Sequence, residues 1–267
     1  MPRNIIVVGT PRSGTSLAAS IFARLGHFVA DDEAAQLRDP DHFNPGGYWE
    51  AEPLIEANAS LFQRVGFEHH NTWIFDPISA EQAGRIAALP PADEHRELVA
   101  RFESHRPWVW KDPRLCYTLG YWWPLVDHEN TAVLFVRRDP EETFKSFARI
   151  GWRESNEAGR KETYQRIADH VAAAKNAIRS LDIPYVEIDY SDYRNSPERV
   201  AAVLSELSGL EVGVADLGFT DHYSSSTLRG RFRVVVEKSL KAIPLPVRNA
   251  IRGLIPKAVL QKLFPGR

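Results

Sequence analysis

The sequence predicts an α/β domain, a three-layer sandwich with a central parallel β-sheet flanked by helices. Three observations carry that expectation. The β-branched run from Ile5 to Val8 ends at Gly9, and an apolar-periodic segment from Leu17 to Leu25 follows, which reads as strand, tight loop and helix. Thr131 to Val136 is a continuous apolar run of the kind buried on both faces of a parallel sheet, and Pro140 opens a helix directly after it. Trp108-Val109-Trp110 and Ile183 to Ile188 supply two further short strands. The spacing Gly9, four residues, Gly14, then Thr15-Ser16 nearly matches a nucleotide-triphosphate phosphate loop, so the sandwich is of the P-loop type.

At 267 residues and 43% apolar content, the chain can bury one sizeable core without splitting into two domains. A net charge of -2 gives no global field that would draw nucleic acid. The single Cys116 excludes an internal disulfide framework and a cysteine metal site, and the nine His show no metal-ligand spacing. No apolar run approaches the ~20 residues of a membrane span. The chain enters its first strand at once, leaving no room for a signal peptide, so a cytoplasmic protein is expected. Seven Trp point to an aromatic-lined surface or, the commoner use, to core.

Taken in order, the first loop is an anion cradle, because its amides and the positive end of the following helix face one point. Thr15 stands where a triphosphate-binding loop has its lysine, which weighs against ATP or GTP. Arg12 offers a planar fork of donors instead. Residues 26–52 are rich in turn formers and read as a long, functional excursion. Residues 53–65 read as a helix with Leu54, Asn58, Leu61 and Val65 on one face, and 80–89 and 94–105 as two polar helices split by Pro90-Pro91. The strand at Trp108 delivers Lys111-Asp112-Pro113-Arg114 at its carboxyl end, and the strand at Thr131 delivers Arg137-Arg138-Asp139-Pro140. Ligands gather beyond the carboxyl ends of parallel strands, so both charge groups fall where the first loop points. Residues 162–181 place Tyr164, Ile167, Ala168, Val171, Ala174, Ile178 and Leu181 at helical spacing, an expected core stripe. A last amphipathic helix spans Glu198 to Leu207 and stops at Gly209. Residues 1–232 are read as the domain. The basic amphipathic tail, 233–267, packs back onto it or lies on an anionic membrane surface.

The motif order is specific. Pro11-Arg12-Ser13-Gly14-Thr15-Ser16, then Lys111-Asp112-Pro113, then Arg138 with Ser146 eight residues on, resemble the sulfotransferases that use 3′-phosphoadenosine 5′-phosphosulfate (PAPS). The likeness is to the tyrosylprotein sulfotransferases and the bacterial carbohydrate-type branch. Asn44-Pro45-Gly46-Gly47-Tyr48-Trp49-Glu50 resembles the Asn-Pro-x-Gly-aromatic-aromatic-Glu stretch of a bacterial branch. The resemblance covers most of residues 1–210. It implies transfer of a sulfuryl group from PAPS to a hydroxyl, with an amine second, of a carbohydrate, glycolipid or small metabolite. The product is 3′-phosphoadenosine 5′-phosphate, and no metal is required. It implies that Pro11, Arg12, Ser13, Gly14, Thr15 and Ser16 hold the 5′-phosphosulfate and that Arg138 and Ser146 hold the 3′-phosphate. Tyr190 lies near the nucleotide, with Ser191 replacing the family's acid, and Arg229 or Arg231 touches the 3′-phosphate. Arg12 and Lys111 stabilise the sulfuryl group and leaving oxygen. Glu33, twenty-one residues after Arg12, and Glu50 are rival general bases, with His42 and Asp112 as further alternatives; Asp112 equally serves to hold Lys111 or Arg114. The residues themselves agree, since two separate anion grips, 12–16 and 138/146, suit a ligand with phosphates at both ends. A P-loop kinase and a nucleotide-binding module without transfer remain the competing classes.

Overall fold

A computed structural model describes residues 2–38, 44, 46–69, 72–73 and 77–219. The chain divides into two units, residues 1–39 with 48–218, and residues 40–47 with 219–267. In the second, Asn44 Nδ2 donates to the Gly47 carbonyl at 2.6 Å. His42, Arg229, Arg231 and the tail at 233–267 lie outside the described residues.

The first unit opens with β1 (Asn4–Val8) and α1 (Thr15–Arg24), then a short α2 (Glu33–Gln36) inside the excursion and α3 (Glu52–Arg64). Next come α4 (Ala80–Ala87), α5 (Asp93–Glu103), β2 (Val109–Lys111), α6 (Leu115–Trp122), β3 (Thr131–Arg137), α7 (Pro140–Ile150) and α8 (Glu157–Ser180). Then β4 (Tyr185–Asp189), α9 (Asp192–Asn195) and α10 (Pro197–Ser208) complete it. The sheet is parallel throughout, in the order β2-β1-β3-β4. With β1 interior and its neighbours reached in opposite directions, the carboxyl ends of β1 and β3 border the crevice where such folds take ligands.

Period-2 alternation assigns the two sheet faces. Ile6, Val8, Val133, Phe135, Trp108 and Trp110 share one continuous core with α3, α5, α6 and α8. On the other face α1 packs on β1 and β2, and α10 on β3 and β4. The tryptophans 108, 110 and 122 are fully buried in edge-on and tilted contacts, so they are core rather than surface. Helix starts follow local chemistry. Ser79 and Gln82 form a reciprocal capping box on α4. Asp139 accepts from Glu142 N at 3.0 Å ahead of Pro140, and Asn156 accepts from Gly159 N at 2.8 Å, which starts α8 earlier than its apolar stripe would.

The face of α3 is as expected, with Leu54, Asn58 and Leu61 buried and Val65 closing the helix. The stripe on α8 holds at Val171, Ala174 and Ile178 and is rotated in its first half. Its buried residues are Gly159, Thr163, His170, Ala174 and Ile178, while Tyr164 and Leu181 are exposed. Tyr164 instead donates to Glu141 Oε2 at 3.0 Å, His170 faces inward to Thr72 Oγ1, and Thr163 is buried with its hydroxyl donating to the Gly159 carbonyl of its own helix. No described helix is long and apolar enough to cross a membrane.

Candidate active site

The loop after β1 is built around two close approaches. A Cβ on Gly9 would fall 2.5 Å from the Val136 carbonyl oxygen, and one on Gly14 2.3 Å from Tyr190 Cδ2. Gly14 also takes φ 105°, a backbone open to glycine, and α1 begins at the next residue with no side-chain cap. Ser13 N donates to Thr10 O at 3.1 Å, closing the turn. Pro11, Ser13 and Thr15 are buried, and Arg12, Gly14 and Ser16 are half-buried. The amides at the start of a ten-residue helix therefore converge on the loop with the positive end of its dipole.

Arg12 takes left-handed backbone, φ 68°. That conformation costs a non-glycine residue about 1–2 kcal/mol, so something must hold it. Two contacts do. Its Nε donates to Ser146 Oγ at 3.1 Å, and its carbonyl accepts from Arg138 Nη1 at 3.1 Å. The first loop, the end of β3 and the middle of α7 are thus joined through one residue. Arg138 also lies over the Tyr190 ring, 4.6 Å from its centroid, and 3.7 Å from Glu142 Oε2. Tyr190 N donates to Arg137 O at 2.7 Å, which carries the ring back under the loop.

Ser146 is buried and also receives Arg149 Nη2 at 3.4 Å. With two donors on its oxygen, its own hydroxyl proton is the function left to offer an anion. Arg149 was missed from the sequence, although its place three residues beyond Ser146 on one helix was the available signal.

Lys111 ends β2, paired in register with Val7, and it is 3% exposed. Its Nζ makes a short ion pair with Glu50 Oε1, itself 2% exposed. The other carboxylate oxygen of Glu50 meets Arg38 Nη1 at 3.4 Å, and the Arg38 guanidinium stacks on Tyr48, 3.9 Å from its centroid. Trp49, between Tyr48 and Glu50, takes φ 56°. Arg12, Trp49 and Asp182 are the described non-glycine residues in left-handed backbone, and the first two belong to this site. Nothing in the sequence flagged Arg38.

The rival carboxylates part company here. Glu33 is exposed in the first turn of α2, while Glu50 is buried against Lys111. Asp112 is buried and occupied, since its Oδ1 accepts from Arg114 N and Arg114 Nη1, both at 2.9 Å. It holds Arg114 in place. Among the described residues no three His, Cys, Asp or Glu side chains gather as a metal site would need.

A parallel α/β domain with a glycine-turned loop at a helix N-terminus, and cations at the tips of β2 and β3, is an arrangement suited to holding anions. The model of the sulfotransferase family matches residues 2–213, and the chain belongs to that family. No curated protein matches it. Among solved structures, it is similar to the sulfotransferase domain of the Synechococcus PCC 7002 olefin synthase. That pair shares 15% identity over 80% of this chain and 75% of that one, at a TM-score of 0.46. It is also similar to sulfotransferase STF1 from Mycobacterium tuberculosis H37Rv, with 16% identity over 82% and 74% and a TM-score of 0.40.

Proposed function

We propose that this sulfotransferase uses PAPS as donor and transfers its sulfuryl group to an acceptor hydroxyl of a carbohydrate, glycolipid or small metabolite. The observation that carries the reading is the junction at Arg12, hydrogen-bonded to Ser146 and held by Arg138. One residue spans both anion grips, as a donor with phosphates at two ends requires. The residues present fit that group. Among the described residues, Ser13 Oγ and Arg138 Nε are buried polar atoms without a hydrogen-bond partner, spare capacity an anionic ligand would satisfy.

PAPS, when bound, supplies the activated sulfuryl group and a phosphate leaving group. Pro11 shapes the loop, and Arg12 to Ser16 hold the 5′ end through backbone amides and the Ser13 hydroxyl. Arg138 and Ser146 hold its 3′-phosphate, and Tyr190 floors the nucleotide. Arg12 and Lys111 place fixed positive charge where negative charge builds as the acceptor oxygen bonds to sulfur and the sulfur–phosphate oxygen bond breaks. The acceptor proton passes to a carboxylate. Glu50 takes that role over Glu33, because it is buried beside Lys111 while Glu33 faces solvent. The transferring domain is read as residues 1–232, with 233–267 as an appended tail.

Calorimetry with 3′-phosphoadenosine 5′-phosphate, set against ATP, tests the donor. Tight binding of the bisphosphate is expected, and ATP binding without it would sink the reading. Radiolabelled sulfate carried from PAPS into a cell extract identifies the acceptor.

A further inference from the structure

Lys111 ends a strand of three residues at the edge of the sheet, held by β1 on one side and, at Val109 N, by the Phe28 carbonyl at 2.9 Å on the other. What fixes the chain beyond it is a buried polar junction. Asp112 Oδ1, accepting from Arg114 N, closes a turn over Pro113 that leads into α6. Asp112 Oδ2 accepts from Asn58 Nδ2 at 2.9 Å, across from the middle of α3. Asn58 is fully buried, and its Oδ1 receives Thr118 Oγ1 at 2.7 Å and Trp122 Nε1 at 2.8 Å from α6. An indole N–H can only donate, so the amide has one orientation: oxygen to α6, nitrogen to Asp112. The segment running into α3 therefore grips consecutive residues at two points, Glu50 on Lys111 and Asn58 on Asp112.

We infer that Asn58 is a positioning residue for Lys111, acting through Asp112 and the turn that ends β2. This rests on the reading that Lys111 serves the transfer step. Losing the Asn58 donor leaves a buried carboxylate oxygen unsatisfied, and the turn relaxes to find water. The Lys111 ammonium then shifts, and a displacement of about 1 Å near reacting atoms can cost up to about a hundredfold in rate.

Asn58→Asp tests this with almost no change of shape. A carboxylate at 58 faces the Asp112 carboxylate, while a protonated one donates as the amide did. The other titratable groups around that position are Arg114, the Cys116 thiol, pushed up to about 12 by burial, and His95 beyond Trp122. Nitrogen-15 labelling of lysines reports Lys111 directly, its side-chain signal identified by its absence from Lys111→Arg. At about pH 7.5 the Asn58→Asp signal is expected to move or broaden, with transfer down about tenfold or more and bisphosphate affinity within about threefold of the parent. Acidification to about pH 5.5 returns the signal as the carboxyl regains its proton. Asn58→Asp with Asp112→Asn exchanges donor and acceptor and keeps every hydrogen bond, so it restores signal and transfer at the higher pH. Should Asn58→Asp fail to fold, Asp112→Asn sets two amides face to face and carries the same test against the same double variant. A Lys111 signal unmoved in the single variant, or unrestored in the double one, overturns the inference. Absence of nucleotide binding and transfer in the parent would instead overturn the donor reading, and the lysine signal would still decide the role of Asn58.

Discussion

The tips of β2 and β3 both carry cations, and they are built in opposite ways. At β2, Lys111 is buried, ion-paired to Glu50 and backed by a saturated network. At β3, Arg137 is exposed and Arg138 half-buried, and Arg138 keeps a buried Nε without a hydrogen-bond partner among the described residues. Under the function proposed above, the difference separates two tasks. A charge that must sit at one point while bonds change gains from a dry, rigid setting, in which electrostatics are strong. A charge that captures an incoming phosphate needs spare donors and a path from solvent.

The largest break in that contrast comes from Glu50→Ala, which strands the Lys111 ammonium in the interior. Urea unfolding should show a loss of about 3–5 kcal/mol. Lys111→Met removes the cation instead. Single-turnover measurements are expected to show transfer slowed by about 10²- to 10³-fold, while calorimetry finds bisphosphate affinity little changed.

The dry side extends to His170, buried between α6 and α8. Burial pushes its pKa down to about 4; its Nε2 accepts from Thr72 Oγ1 at 2.8 Å and its Nδ1 donates to Arg166 O at 2.7 Å. The unfolded chain binds the extra proton between about pH 6.5 and about pH 4, so stability is full above that window and falls as pH drops through it. The loss approaches about 3 kcal/mol at the acid end, and denaturant melts of His170→Gln should lack that part of the slope.

On the β3 side the effects are on affinity. Arg138→Gln should weaken bisphosphate binding about tenfold or more, and Ser146→Ala about fivefold, with transfer at saturating donor closer to the parent. Equal losses in kcat and affinity at both strand tips would dissolve the contrast.

Much of this was legible in the sequence because it is local. β1, β3 and the loop between Gly9 and Gly14 are announced by short apolar runs and fixed spacings, and Lys111 and Arg138 follow from where those runs stop. α6 was not foreseen. Every residue from Leu115 to Trp122 is buried, so no polar face marks a helical period. The first half of the α8 face was misplaced because His170 turns inward to Thr72, a partner distant in sequence, and Thr163 is buried with its hydroxyl satisfied on the Gly159 carbonyl one turn back, neither of which hydropathy reports. The pairing of Glu50 with Lys111 joins residues from separate elements, which a spacing rule cannot reach, and it alone separates Glu50 from Glu33.

The left-handed backbone at Arg12 has a consequence for anyone engineering this chain. Glycine there would relieve about 1 kcal/mol of conformational strain, so a search guided by thermal tolerance alone would favour it. The resulting variant would melt higher and read as an improvement; its carbonyl would still accept from Arg138, yet the guanidinium that reaches Ser146 on the helix would be gone. Position 12 should be frozen before any such campaign begins.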